Sequence, residues 1–252
     1  MSSDPEFRFN RPPSIHDGMI ALTAEELEPI LRGNITKCLP GSREHLEATW
    51  ELARFLSIVG RSDEGLREIG NLLTPGMDPG EKAGIMLASG QLMERLGDFA
   101  RAIEVYRRGV ALEPVQASAW YFLHNNLGYC LNQLGRYSEG ERWCRAAIQI
   151  DPERHNAHKN LGVACEGQGR HVEAIHCFIA ALKANAADPR ALRLFEELID
   201  RDPGVRTEVP DLDHQLEKCR EAVAAARQVW SEAAKAQEEL WARREAAKGP
   251  QT

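Results

Sequence analysis

Asn126 and Asn160 stand 34 residues apart, and an amide side chain carries a donor and an acceptor together. Such a group can satisfy both the C=O and the N–H of an extended peptide, whatever that peptide's sequence. A second set is His155, His158, His171 and His176-Cys177, residue types that ligate zinc when three or four converge. His155 and His158 are three apart, so they share one face of any helix that carries them.

Covalent chemistry finds little support. The chain holds no G-x-S-x-G elbow, no G-x-x-x-x-G-K phosphate loop and no H-E-x-x-H pair. Gly167-Gln168-Gly169 follows no strand, so it does not read as a dinucleotide turn. The many glutamates read as solvated helix faces rather than acid/base pairs. No enzyme activity and no cofactor are expected.

The composition narrows the partner class. With 31 Lys+Arg against 38 Asp+Glu, the net charge of −7 disfavours non-specific binding to nucleic acid, which needs a basic field. No stretch reaches the roughly 18 consecutive apolar residues of a membrane span. Met1 to Arg11 mixes Asp4, Glu6, Arg8 and Arg11 without an apolar core, so no secretory signal is read there. The expected location is the cytoplasm. Cys38, Cys130, Cys144, Cys165, Cys177 and Cys219 include no C-x-x-C pair, and in a reducing compartment such residues are mostly small core side chains.

The elements that must position these groups repeat. Leu127-Gly128 aligns with Leu161-Gly162 at a shift of 34, and His124, Gly135, Tyr137, Cys144 and Ala147 then meet His158, Gly169, His171, Phe178 and Ala181. Gly90, Gly97, Phe99, Ala102, Tyr106 and Pro114 fall at the same internal places one unit earlier. A fainter copy has Ala53, Leu56, Gly60 and Ile69. Four units start at Leu46, Ala83, Tyr121 and His155. The pattern resembles the tetratricopeptide repeat, W-x2-L-G-x2-Y, then A-x3-F, then P. It implies an all-α fold, a right-handed superhelical solenoid of helix hairpins. Glycine at the eighth place lets paired helices approach, and the turn glycines end each first helix in a left-handed conformation. Asp151-Pro152 and Glu113-Pro114 should stop second helices.

The resemblance also implies a peptide-binding groove lined by first-helix places 2, 5, 6, 9, 12 and 13. Those places give Phe122, Asn125, Asn126, Tyr129, Asn132 and Gln133 in the third unit, and Lys159 and Asn160 in the fourth. The second offers Gln91, Glu94 and Arg95, and the first Trp50, Glu51 and Arg54. Asn126 and Asn160 share place 6, similar to two rungs of the asparagine ladder of O-linked N-acetylglucosamine transferases. Val163 stands four after Lys159, where chaperone-binding members keep Asn, so their carboxylate clamp is not expected. His124 and His158 occupy an aromatic packing place and His171 a turn place, so no metal site is expected.

Three regions result: an irregular segment 1–43 with one short helix, repeats over 44–189, and a capping helix plus a long helix over 190–252. Thr23 opens the short helix as T-A-E-E, and Pro29 should end or kink it near Glu28. The P-G pairs at 75–76 and 79–80 suggest a longer loop. From Asp211 to Lys248 neither Pro nor Gly occurs, a span of about 57 Å if helical. Leu212 to about Trp230 should cap the array, leaving Leu240 and Trp241 exposed. The expected function is a scaffold holding a peptide of a partner protein. The alternative is a homo-oligomer assembled through Trp230, Leu240 and Trp241.

Overall fold

The computed structural model describes residues 23–112 and 117–248, and every regular element among them is helical. The chain divides into two compact units, Met1–Leu134 and Gly135–Thr252, the boundary falling inside the third repeat.

In the first unit α1 (Ala24–Lys37) precedes α2 (Arg43–Ile58), α3 (Ser62–Gly70), α4 (Pro79–Arg95), α5 (Phe99–Val110) and α6 (Ala117–Gln133). Helix α2 pairs with α3 and α4 with α5, while α6 packs on both α4 and α5. The capping box at Thr23 forms as expected: its Oγ1 accepts from the Glu26 N–H at 3.3 Å, and Glu26 accepts from the Thr23 N–H at 2.8 Å. Pro29 does not end the helix, which runs through it to Lys37. As the sixth residue of α1, Pro29 removes one hydrogen bond, to the Glu25 carbonyl, but Arg32, one turn on, ties α1 to α3. Its guanidinium donates to Glu28, Glu64 and Glu68, and Arg61 donates to Glu28 and Glu64. The second P-G pair is not loop. Asp78 caps α4, accepting from the Gly80 N–H, and Pro79 takes the first helical place, where its missing N–H costs nothing.

In the second unit α7 (Tyr137–Ile150), α8 (His155–Glu166), α9 (His171–Ala184) and α10 (Arg190–Arg201) pack in sequence. A short α11 (Val205–Glu208), not foreseen, leads into α12 (Leu212–Lys248). Phe178, Phe195, Leu198, Val205 and Val209 form the centre of the core. The cap is shorter than expected. Leu212, Leu216, Cys219 and Val223 are buried, but Val229 is 65% and Trp230 68% exposed. Helices α9 and α10 have only 14 and 12 residues, about 20 Å each, so α12 outruns the surface they offer. Leu240 and Trp241 are exposed as expected.

Two glycine roles are visible. Gly60, Gly97, Gly135 and Gly169 all have φ between 71° and 81°, the left-handed turn conformation that favours glycine. At Gly90 a Cβ would lie 2.3 Å from the Tyr106 ring, and at Gly162 2.4 Å from Phe178. The eighth-place glycine therefore admits an aromatic ring from the second helix.

Candidate functional site

Within the first unit, α2 and α4 present one repeated place, the ninth, as Arg54 and Gln91. Arg54 Nε and Gln91 Oε1 are both buried, and neither has a hydrogen-bond partner among the described residues. Burial holds the Arg54 guanidinium below its usual range, and the neighbouring Arg95 adds to this while Glu51 opposes it. Arg95 is exposed, one turn beyond Gln91 on α4. A buried donor or acceptor left without a partner costs about 1–3 kcal/mol, so this wall holds unmet hydrogen-bonding capacity of both kinds.

Beside it runs a polar chain. Asn125 Nδ2 donates to Asn126 Oδ1 at 2.9 Å, Asn126 Nδ2 donates to the Tyr106 hydroxyl at 3.3 Å, and that hydroxyl donates to Glu94 Oε1 at 2.6 Å. Cys130 Sγ reaches the same carboxylate oxygen at 3.6 Å. Burial pushes Glu94 up to about 7, against the lowering effect of its bonds to Tyr106 and Cys130. The same burial and the adjacent carboxylate push Tyr106 and Cys130 up. Glu94 thus departs from the solvated helix faces that the many glutamates suggest. In the sequence Tyr106 marks only a repeated internal place, and nothing in its spacing to Glu94 signals a hydrogen bond.

The remaining third-unit residues lie along α6. Asn125, Asn126 and Asn132 are buried, and Gln133 is exposed. Phe122 is half-buried with its ring edge-on to Tyr121 at 5.3 Å, and Tyr129 meets Phe99 at 6.0 Å. In the second unit Lys159 and Asn160 are adjacent on α8 and 8% and 4% exposed. Burial, then Arg190, lowers the Lys159 amine to about 8, with Arg193 acting the same way and Asp188 and Cys144 opposing.

The histidines have other partners. His155 Nε2 lies 3.0 Å from Asp188 Oδ2, His158 Nε2 2.8 Å from the Pro152 carbonyl, and His171 Nδ1 2.5 Å from Asp202 Oδ2. His171 thus serves its turn through a polar contact with Asp202 rather than by aromatic packing alone. No group of three metal-ligating side chains occurs among the described residues. Nor is any described helix long and apolar enough to cross a membrane.

Comparison with known proteins places these helices. Residues 87–155 match the tetratricopeptide repeat family model. The chain is 30% identical over 105 residues to human tetratricopeptide repeat protein 7B, covering 42% of this chain and 12% of that protein. It is 28% identical over 138 residues to the Drosophila melanogaster protein O-mannosyl-transferase Tmtc1, covering 52% and 16%. The chain therefore spans only a small part of these curated relatives. Among solved structures, MamA from Desulfovibrio magneticus RS-1 superposes with a TM-score of 0.54 at 17% identity, over 71% of this chain and 96% of that one; that likeness concerns the fold alone. The matched stretch, α4 to α7, is thus a tetratricopeptide repeat region, with like-built hairpins on either side.

Proposed function

We propose that this chain is a non-catalytic scaffold that binds an extended segment of a partner protein along its first-helix residues. The observation that carries the reading is the pair of buried, unpartnered atoms at the ninth place, Arg54 Nε and Gln91 Oε1, which a peptide engages once these two side chains turn outward. Both belong to the face that the resemblance assigns to peptide. One is a donor and one an acceptor, the complement of a peptide C=O and N–H. Asn126 has one amide hydrogen and its oxygen engaged inside the chain, so its contribution is to orient the wall and offer its second hydrogen. Arg95 and Gln133 supply exposed polar contacts, and Phe122 and Tyr129 half-buried apolar ones. In the second unit Lys159 and Asn160 serve the same role on α8. A 12-residue peptide display library selected against the full chain, followed by calorimetry on Gln91→Leu, tests this. Peptides whose affinity is indifferent to Gln91 argue against it.

A second reading rests on α12. Beyond Val223 its apolar side chains Val229, Trp230, Leu240 and Trp241 are uncovered, and such a face marks an association surface. Self-assembly through Trp230, Leu240 and Trp241 is tested by sedimentation of the full chain against one ending at Gln228. An unchanged oligomeric state removes it.

A further inference from the structure

Helices α3, α4 and α5 of the first unit enclose a surface cavity of about 420 Å³, within the range of ligand sites. None of the first-helix places assigned to the groove lines it. Its apolar side chains are Leu66, Leu73, Met86, Met93 and Val105. Methionine is unbranched and polarizable, so such a floor adapts to varied apolar shapes.

Three guanidiniums, Arg67 on α3 and Arg101 and Arg108 on α5, stand with the apolar residues, against one carboxylate, Asp63. Arg101 reaches Asp98 at 3.3 Å. The Arg67 and Arg108 side chains have no hydrogen bond or ion pair among the described residues. In a chain of net charge −7, this local excess of cations is set apart. The spacing selects the occupant. Arg101 and Arg108 are two helical turns apart, about 10 Å along α5, and Arg67 lies on another helix. One carboxylate or compact anion cannot span that separation. A polypeptide with acidic side chains two turns apart can, while an apolar side chain between them enters the cavity.

We propose that this cavity is a second docking site, taking a helical, acidic, amphipathic segment of a partner protein whose bulky apolar residue fills it and whose carboxylates, two turns apart, meet Arg101 and Arg108, with Arg67 adding positive charge beside them. The site is independent of the first-helix groove and stands or falls without it.

The test uses the full chain and a labelled Ala-rich peptide of about 18 residues, carrying Glu, Phe and Glu at i, i+4 and i+7, beside its twin with Gln for Glu. Anisotropy should show saturable binding of the Glu peptide, about tenfold tighter than the Gln twin and weakened by salt. Arg67→Glu with Arg108→Glu should weaken it about tenfold or more with an unchanged melting temperature, and Gln91→Leu should leave it intact. Absence of saturation, equal affinity for the twins, or undiminished binding by the double variant overturns the proposal. Decanoate binding more tightly than the Glu peptide assigns the cavity to a small amphiphile and overturns it as well.

Discussion

The Tyr106 hydroxyl donates to Glu94 at 2.6 Å while accepting from Asn126 at 3.3 Å, so a buried carboxylate sets the orientation of an amide on the neighbouring α6. Glu94 keeps its proton up to about pH 7 in the folded chain, against 4.5 in its ordinary state. The folded state therefore binds more protons than the unfolded one between those values, and stability falls as pH rises through that window. Glu94→Gln keeps an acceptor for Tyr106 and removes the buried charge. It should raise stability at pH 8 by up to about 3 kcal/mol and by little near pH 4.5. Denaturant melts at the two pH values read this directly; equal gains at both would show that the charge is not the cause.

Lys159 gives the opposite slope. Its amine titrates near 8 in the folded chain and at 10.5 ordinarily, so the unfolded state binds more protons between those values and stability rises with pH across them. Lys159→Met should stabilise the chain at pH 7, with the gain shrinking towards pH 10.5. Thermal melts of both proteins over that range check it, and a pH-independent difference would contradict the burial argument.

Packing at the eighth place is equally exposed to test. Tyr106 is fully buried and hydrogen-bonded, so it cannot retreat from a Cβ placed 2.3 Å from its ring. Gly90→Ala should cost about 1–3 kcal/mol through overpacking, more than the roughly 1 kcal/mol that alanine gains in helix propensity. Gly33→Ala on α1, where nothing lies within 4 Å, should be stabilising. Urea midpoints for the two variants should move in opposite directions.

The distal part of α12 should be dispensable for folding. Among the described residues its last buried one is Val223, so a chain ending at Gln228 should melt within a degree or so of the full chain. A large drop in the melting temperature would mean that Trp230 or Trp241 packs on the array after all.

Periodicity revealed the helices because a 34-residue spacing repeats glycines and alanines whose only reason is close packing. Gly90 and Gly162 were legible for that reason, as were the turn glycines and the Thr23 capping box. Pro79 stands at a first helical place, where proline costs no hydrogen bond, while α1 continues through Pro29 with Arg32 and Arg61 pairing across between it and α3, a tertiary effect that local sequence does not give. The cap length was misread at Trp230 because the apolar stripe of α12 continues past the surface that α9 and α10 provide. At the site, place numbers found Gln91 and Arg54, but not their lack of partners. Nor could they show that Glu94 and Asn126 are joined through Tyr106, a contact between residues from three different helices.

The ninth-place pair offers the most direct test of the scaffold reading. Arg54→Leu with Gln91→Leu removes two buried, unpartnered polar atoms, so the variant should melt higher than the native chain while binding a display-selected peptide at least about tenfold more weakly. Calorimetric titration of one selected peptide into both proteins, beside their thermal melts, gives both readings at once. A variant of lower stability with unchanged affinity would contradict the proposal that these atoms await a peptide.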